Sequence, residues 1–225
     1  MSHYTPMIKQ YLEIKQQYQD AILFFRLGDF YEMFFEDAQL ASRELDIVLT
    51  ARDGGDSKVP MCGVPYHAVN SYLSRLINRG YKVAICEQME DPSLAKGIVK
   101  RDIIRVVTPG TVIDSSMLDD KKNNYLMSIF RTGPYFGVSI VDISTGDFTS
   151  TNINLGNTIS KLMDEIAKFS PSEIITNSEF FDDSTLVSNL RKRFNVYISK
   201  FEDAYFDKAY ACEKVRSYFS DCELL

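Results

Sequence analysis

One stretch, Ala21 to Phe35, constrains the fold more than any other; it reads AILFFRLGDFYEMFF. Ala21 to Leu27 is an apolar run, Gly28-Asp29 is a turn signal, and the chain from Phe30 is aromatic again. This predicts a strand, a tight turn and a second short extended piece. Extended backbone sends alternate side chains to opposite faces. Phe30 and Glu32 then point one way, and Tyr31 and Met33 the other. One face therefore carries a flat apolar ring beside a single carboxylate.

A carboxylate in a core needs a partner, so that pairing is odd for packing alone. It suits a site that slides a ring between stacked bases and offers one acceptor to a base edge. The stretch GDFYEMFFEDA resembles the lesion-reading Phe-x-Glu motif of the MutS mismatch-repair family, and the resemblance continues through VPMCGVPYHAV, AICEQMEDP and IIRVVTPGT. It covers most of residues 5 to 150; beyond about residue 155 it rests on pattern.

The resemblance implies that Phe30 enters DNA at a mispaired or unpaired base and that Glu32 contacts that base. It also implies that Leu27 and Met61 line the minor groove beside the ring. In the family two copies embrace kinked duplex DNA. An ATPase with its Mg²⁺, a clamp and the dimer contacts lie in later regions, and a MutL-type protein is the next partner, with the connector domain implicated in that contact. No Gly-x-x-x-x-Gly-Lys-Ser/Thr loop occurs in this sequence, so no nucleotide site and no enzyme activity are expected here. The chain reads as a truncated front part, monomeric by itself and weak on DNA. The localisation implied is cytoplasmic, at the nucleoid.

Composition limits how such a chain can bind. The 225 residues suit one large domain or two modest ones, and 45% apolar content is ordinary for a soluble protein. No apolar run approaches the roughly 18 residues that span a bilayer, and Met1 to Thr5 has no basic start leading into an apolar run. Cys62, Cys86, Cys212 and Cys222 are scattered without a C-x-x-C pair, as in reduced cytosolic proteins. The net charge is −6; residues 1–110 carry 13 Lys+Arg against 14 Asp+Glu, and the remainder 12 against 17. Neither part is a basic module, so strong binding by this chain through phosphate contacts alone is not expected. Arg52, His67, Lys96, Lys100 and Arg101 are the candidate phosphate contacts; lone basic residues are more often solvated charges, and His67 is read as structural or phosphate-facing.

Along the chain, Thr5 is an N-cap for a helix that starts at Pro6 and runs to about Gln17. After the strand-turn-strand piece, the pattern predicts a helix over 36–45, a short strand over 47–50, a flexible loop over 53–58 and a shaped loop over 59–67. A helix over 66–78 ended by Gly80, and strands over 81–86 and 103–107, complete a mixed α/β domain. Residues 109–124 read as a connector. From Tyr125 the pattern changes to a three-strand meander, followed by helix, strand, helix, strand and a helix over 203–219. Residues Ile159, Leu162, Met163 and Ile166 are expected to face inward from the first of these helices. That order is the one found in ribonuclease-H-like folds, which the MutS connector domain also resembles. The domains expected are 1–110 for mismatch binding, a linker over 111–123, and 124–225 for the connector.

Two rival functions are weighed. Ribonuclease-H-like nucleases place a catalytic Asp on an early strand, where Asp142 lies, but metal-assisted cleavage needs further converging carboxylates. Asp147, Glu165 and Glu173 complete no recognisable set, and Asp142 is read instead as ordering the Ser144-Thr145-Gly146 turn. MutS relatives that act in recombination or junction handling lack the Phe-x-Glu pair, so Phe30 and Glu32 disfavour that reading.

Overall fold

The computed structural model describes residues 4–91, 97–118, 122–154 and 159–219. The chain divides into two compact α/β units, residues 1–118 and 119–225. In the first, α1 (Pro6–Gln17), β1 (Ala21–Leu27), β2 (Phe30–Phe34), α2 (Phe35–Leu45), β3 (Thr50–Asp53), β4 (Lys58–Pro65), α3 (Val69–Ile77), β5 (Lys82–Gln88) and β6 (Arg101–Val107) follow in order. The strands form one mixed sheet, ordered β3-β4-β2-β1-β5-β6. β1 and β5 run parallel, and the other neighbours are antiparallel.

Strand β1 is continuously apolar because it is covered on both faces. Ile22 and Phe24 face a cluster with Ala38, Ala41 and Leu45 of α2 and Leu73, Leu76 and Ile77 of α3. Ala21, Leu23 and Phe25 face the opposite cluster, which holds Ile8 and Tyr11 of α1. α1 starts as its sequence dictates: the Thr5 hydroxyl accepts from the Ile8 amide at 3.4 Å, and Pro6 opens the helix.

No residue separates β2 from α2. The reversal is made at Phe35, whose φ of 54° lies in the left-handed region, a conformation costing about 1–2 kcal/mol for a side-chain-bearing residue. It turns the first turn of α2 back over the sheet. There the buried Asp37 carboxylate accepts from Tyr11 Oη at 2.9 Å, Lys15 Nζ at 2.9 Å and the Leu23 amide at 3.0 Å. One carboxylate thus fastens α1, β1 and α2 together. Burial raises the Tyr11 pKa well above its ordinary value, and the neighbouring Asp37 charge adds to the effect.

Two expectations about strands in the first unit are corrected. Residues 47–49 are not a strand; pairing with β4 begins only at Thr50, opposite Met61. Residues 58–65 are a full strand and not a shaped loop. Its prolines sit where a neighbour has ended: Pro60 lies beyond the β2 pairing and Pro65 beyond the β3 pairing, so neither takes the place of an amide needed on both flanks. Of the segment read as a connector, Val112 is buried in the first core, and Met117 and Leu118 pack against it.

The second unit contains β7 (Tyr125–Thr132), β8 (Tyr135–Asp142), β9 (Asp147–Asn154), α4 (Ser160–Phe169), β10 (Glu173–Thr176), α5 (Ser178–Phe181), α6 (Ser184–Phe194), β11 (Tyr197–Lys200) and α7 (Lys208–Tyr218). Its sheet is ordered β11-β10-β7-β8-β9. β10 is parallel to both neighbours, and the meander is antiparallel, which is the ribonuclease-H-like arrangement. Leu162 and Ile166 of α4 and Leu186 and Leu190 of α6 pack on Met127, Ile129, Ile140 and Ile174. Met163 packs partly against this core. Ile159, expected to face inward, is exposed because it precedes the first turn of α4. The helix expected over 203–219 is broken: a 3-10 turn over Asp203–Phe206 precedes α7, which Asp207 caps through the Tyr210 amide at 3.0 Å. Among the described residues, no helix is long and apolar enough to cross a membrane.

Asp37→Ala is expected to lower the unfolding free energy by about 3 kcal/mol, because it strands a half-buried ammonium and a buried phenol. The check is the urea midpoint at unchanged slope.

Candidate nucleic-acid interface

On β2, Tyr31 and Met33 enter one core, while Phe30, Glu32 and Phe34 share the opposite face. Cover fades along that face. Phe34 is fully buried, its ring packed edge-on against Tyr11 of α1 at 5.0 Å. The Glu32 side chain is 14% exposed. Phe30, at the turn, is 47% exposed. α1 covers the Phe34 end of β2 and leaves the Phe30 end open, which places an uncovered aromatic ring at the end of an interior strand.

The turn carrying Phe30 is held from several sides. Leu27 pairs directly with Phe30 across two residues, and Gly28 takes φ of 58°, the left-handed value that tight hairpins place on glycine. The Tyr66 amide donates to Asp29 O at 2.9 Å. Arg101 Nε donates to Arg26 O at 2.8 Å. The Arg26 guanidinium lies 3.9 Å from the centre of the Tyr66 ring and pairs with Glu87 at 3.5 Å. Tyr31 Oη donates to the same Glu87 carboxylate. Burial pushes the Tyr31 phenol up to about 12, with Glu87 adding to the effect. The ring is thus open while its backbone is fixed. Arg26, Tyr31, Tyr66 and Glu87 were not among the residues singled out in the sequence. The signal was a lone Arg closing a buried apolar strand, where a charge requires a partner.

Glu32 does not stand as a free acceptor: its carboxylate pairs with the Arg52 guanidinium, which reaches it from β3. The β4 residue opposite Glu32 is Gly63. A Cβ there would touch Glu32 Cγ at 3.5 Å and Phe30 Cδ1 at 3.8 Å, so glycine keeps the floor beside ring and carboxylate bare.

The remaining candidates separate into groups. Leu27, His67, Lys100 and Arg101 lie at the same end of the sheet as the β1–β2 turn, judged by strand register. His67 and Lys100 are exposed; His67 follows Pro65, the partner of Phe30, with only Tyr66 between. Leu27 is half-buried and packs partly against the core under α1. Arg101 is only 9% exposed. It donates to Gln10 Oε1, Val99 O and Arg26 O and lies over the Phe25 ring at 4.9 Å. Burial lowers its pKa. In this structure its guanidinium is spent on holding the turn and is not offered to a phosphate. Met61 pairs with Phe34, four residues along β2 from Phe30, so it lies toward the far end of the strand and not beside the ring. Lys96 lies outside the described residues. Cys62 and Cys86 are buried free thiols, pushed up to about 12 by that burial.

In the second unit, Asp142 is 1% exposed. Its carboxylate accepts from the Ser144 amide at 2.9 Å, Ser144 Oγ at 2.6 Å and the Asn124 amide at 3.1 Å, and Gly146 N donates to its carbonyl at 2.8 Å. It orders the turn after β8. Among the described residues, no three His, Cys, Asp or Glu side chains converge so as to hold a metal ion. Burial pushes the Asp142 pKa up, but the bonds from Ser144, Asn124 and Thr145 outweigh it and hold the carboxyl below its ordinary value. A depressed carboxylate stabilises the fold above its unfolded value of about 3.9 and loses that contribution as pH falls through the folded value. Asp142→Asn is therefore expected to cost about 1–2 kcal/mol at neutral pH. The gap from the parent should close below about pH 4, as followed by thermal melting across a pH series.

The comparisons with known proteins agree with this layout. Residues 5–116 match the family model described as MutS domain I, and residues 124–224 match MutS domain II. The chain is 64% identical over 222 residues to the DNA mismatch repair protein MutS of Acetivibrio thermocellus, covering 98% of this chain and 26% of that protein. It is 59% identical over 220 residues to the DNA mismatch repair protein MutS of Ruminiclostridium cellulolyticum, covering 97% and 25%. The chain thus spans about a quarter of the length of the curated relatives it matches. Two consecutive domain matches on two separately folded units, with a braced hairpin presenting Phe30 and Glu32 in the first, make this chain a member of the MutS family.

Proposed function

We propose that this chain is the lesion-sensing front part of a longer MutS-type protein, which recognises mispaired or unpaired bases in duplex DNA and so initiates repair. Phe30 inserts at the lesion in kinked DNA, and Glu32 contacts the base. The observation that carries this reading is the Phe30 ring, 47% exposed at a turn whose backbone is fixed. Phe24, Phe25 and Phe34 in the same hairpin are fully buried. An aromatic left uncovered on a rigid support costs no reorganisation when it enters a stack.

The energetics favour a weak spot over an intact duplex. Stacking a base on a ring gains about 1–3 kcal/mol, and kinking a base step costs a few kcal/mol. A mispaired base is cheaper to unstack than a paired one. Discrimination then comes from the cost of deforming the DNA, with no base code needed. The polyanion repels an ionised carboxylate, which penalises Glu32 wherever no base edge receives it.

With a net charge of −6, the grip on the phosphates comes from outside this chain. We assign ATP and Mg²⁺, the homodimer contacts and the clamp to the rest of the longer protein, because this sequence holds no Gly-x-x-x-x-Gly-Lys-Ser/Thr loop. By itself the chain is a monomer without enzymatic activity. The second unit is assigned to contact with a MutL-type partner, and the whole acts in the cytoplasm at the nucleoid.

The test uses a full-length protein carrying this sequence, with binding measured on matched and single-mispair duplexes at fixed salt. Phe30→Ala is expected to weaken mispair binding about ten- to a hundred-fold and to erase discrimination; equal discrimination by variant and parent rejects insertion. Glu32→Gln should keep mispair binding and tighten binding to matched duplex. Unchanged matched-duplex affinity removes the repulsion argument.

A further inference from the structure

We propose that Arg52 is a specificity-determining positioning residue, which holds the Glu32 carboxylate as an ion pair in the free protein and releases it when a base edge takes its place. The inference rests on the reading of Phe30 and Glu32 given above and assigns the control of that site.

Three observations carry it. The guanidinium is committed to the carboxylate in the free protein, so Glu32 does not meet DNA as a bare charge. The pair spans three strands: Glu32 on β2 lies opposite Gly63 of β4, and Arg52 on β3 lies opposite Val59 of the same strand, so the guanidinium reaches diagonally across β4 to the carboxylate. No side chain at position 63 blocks the carboxylate from turning between the guanidinium and the space beside the Phe30 ring. The exposures are also unequal, 39% for Arg52 and 14% for Glu32. Arg52 stands on the edge strand of the sheet, with water beside it to receive its charge once the pair opens. Water at the Arg52 end screens the pair and weakens it relative to one sealed at both ends, so that it opens on contact.

The consequence has a definite sign. On matched DNA no base edge receives Glu32, so the pair stays closed and Arg52 weakens, without removing, the repulsion between carboxylate and phosphates. At a lesion the pair opens, and its cost is charged against binding. Arg52 therefore compresses the difference between the two duplexes. Removing it exposes the full repulsion on matched DNA and lifts the opening cost on mispaired DNA.

The experiment measures affinity for matched and single-mispair duplexes at fixed salt, in a full-length protein carrying this sequence. Arg52→Ala and Arg52→Gln are each made with Glu32 present and with Glu32→Gln. With Glu32 present, both Arg52 variants are expected to raise the mispair-to-matched affinity ratio about two- to five-fold. In the Glu32→Gln background the rise should vanish. An unchanged ratio, an equal loss on both duplexes, or the same change in both backgrounds overturns the proposal and leaves Arg52 a phosphate contact. Phe30→Ala, run alongside, reports separately on insertion: retained discrimination there rejects the insertion reading, while the Arg52–Glu32 coupling is still read from the two backgrounds.

Discussion

The first unit depends on the Asp37 carboxylate. It accepts from a tyrosine and a lysine of α1, an amide of β1, and itself belongs to α2. A buried carboxylate is unfavourable unless every neighbour is a donor, so the three elements can meet in only one arrangement. That arrangement sets where α1 lies on the sheet, and hence which residues of β2 it covers. Phe34 is sealed because Tyr11 is held against it. Phe30 is bare because it lies four residues further along the same face. The open ring follows from the same packing that builds the core.

Around the ring, the turn is rigid for reasons separate from its exposure. Arg26, Tyr66, Glu87 and Arg101 brace the backbone from β1, β5, β6 and the segment after β4. Each spends its charge or hydrogen bonds internally. Two of the nearby cations, Arg26 and Arg101, serve the scaffold, while Lys100 stays exposed at the same end of the sheet. Shape and stacking remain available to the ring, and these are the terms that respond to how easily DNA deforms.

The second unit uses its acidic residue in a different way. Asp142 sits where a nuclease of similar topology would place a catalytic carboxylate, yet its oxygens are taken by Ser144 and Asn124. A carboxylate satisfied by backbone amides and a hydroxyl closes a turn. The same fold supports different functions according to what surrounds such a position.

Much of this was legible in the sequence because it is local. Thr5-Pro6 wrote the start of α1, Gly28-Asp29 the hairpin, and alternation along β2 placed Phe30 and Glu32 on one face. The order of elements from Tyr125 gave the second fold, and the Ser144-Thr145-Gly146 turn was readable behind Asp142. What failed was non-local. β4 contains two prolines and reads as a loop until the ends of β2 and β3 show that neither proline is asked for an amide it lacks. Arg101 reads as a surface cation until Gln10, Val99 and Arg26 converge on it. Arg52 and Glu32 stand 20 residues apart, and no periodicity links them. Side-chain alternation and turn chemistry are fixed within a few residues of backbone. The partner of a buried or half-buried charge is chosen by strand order and register, which the whole chain decides at once.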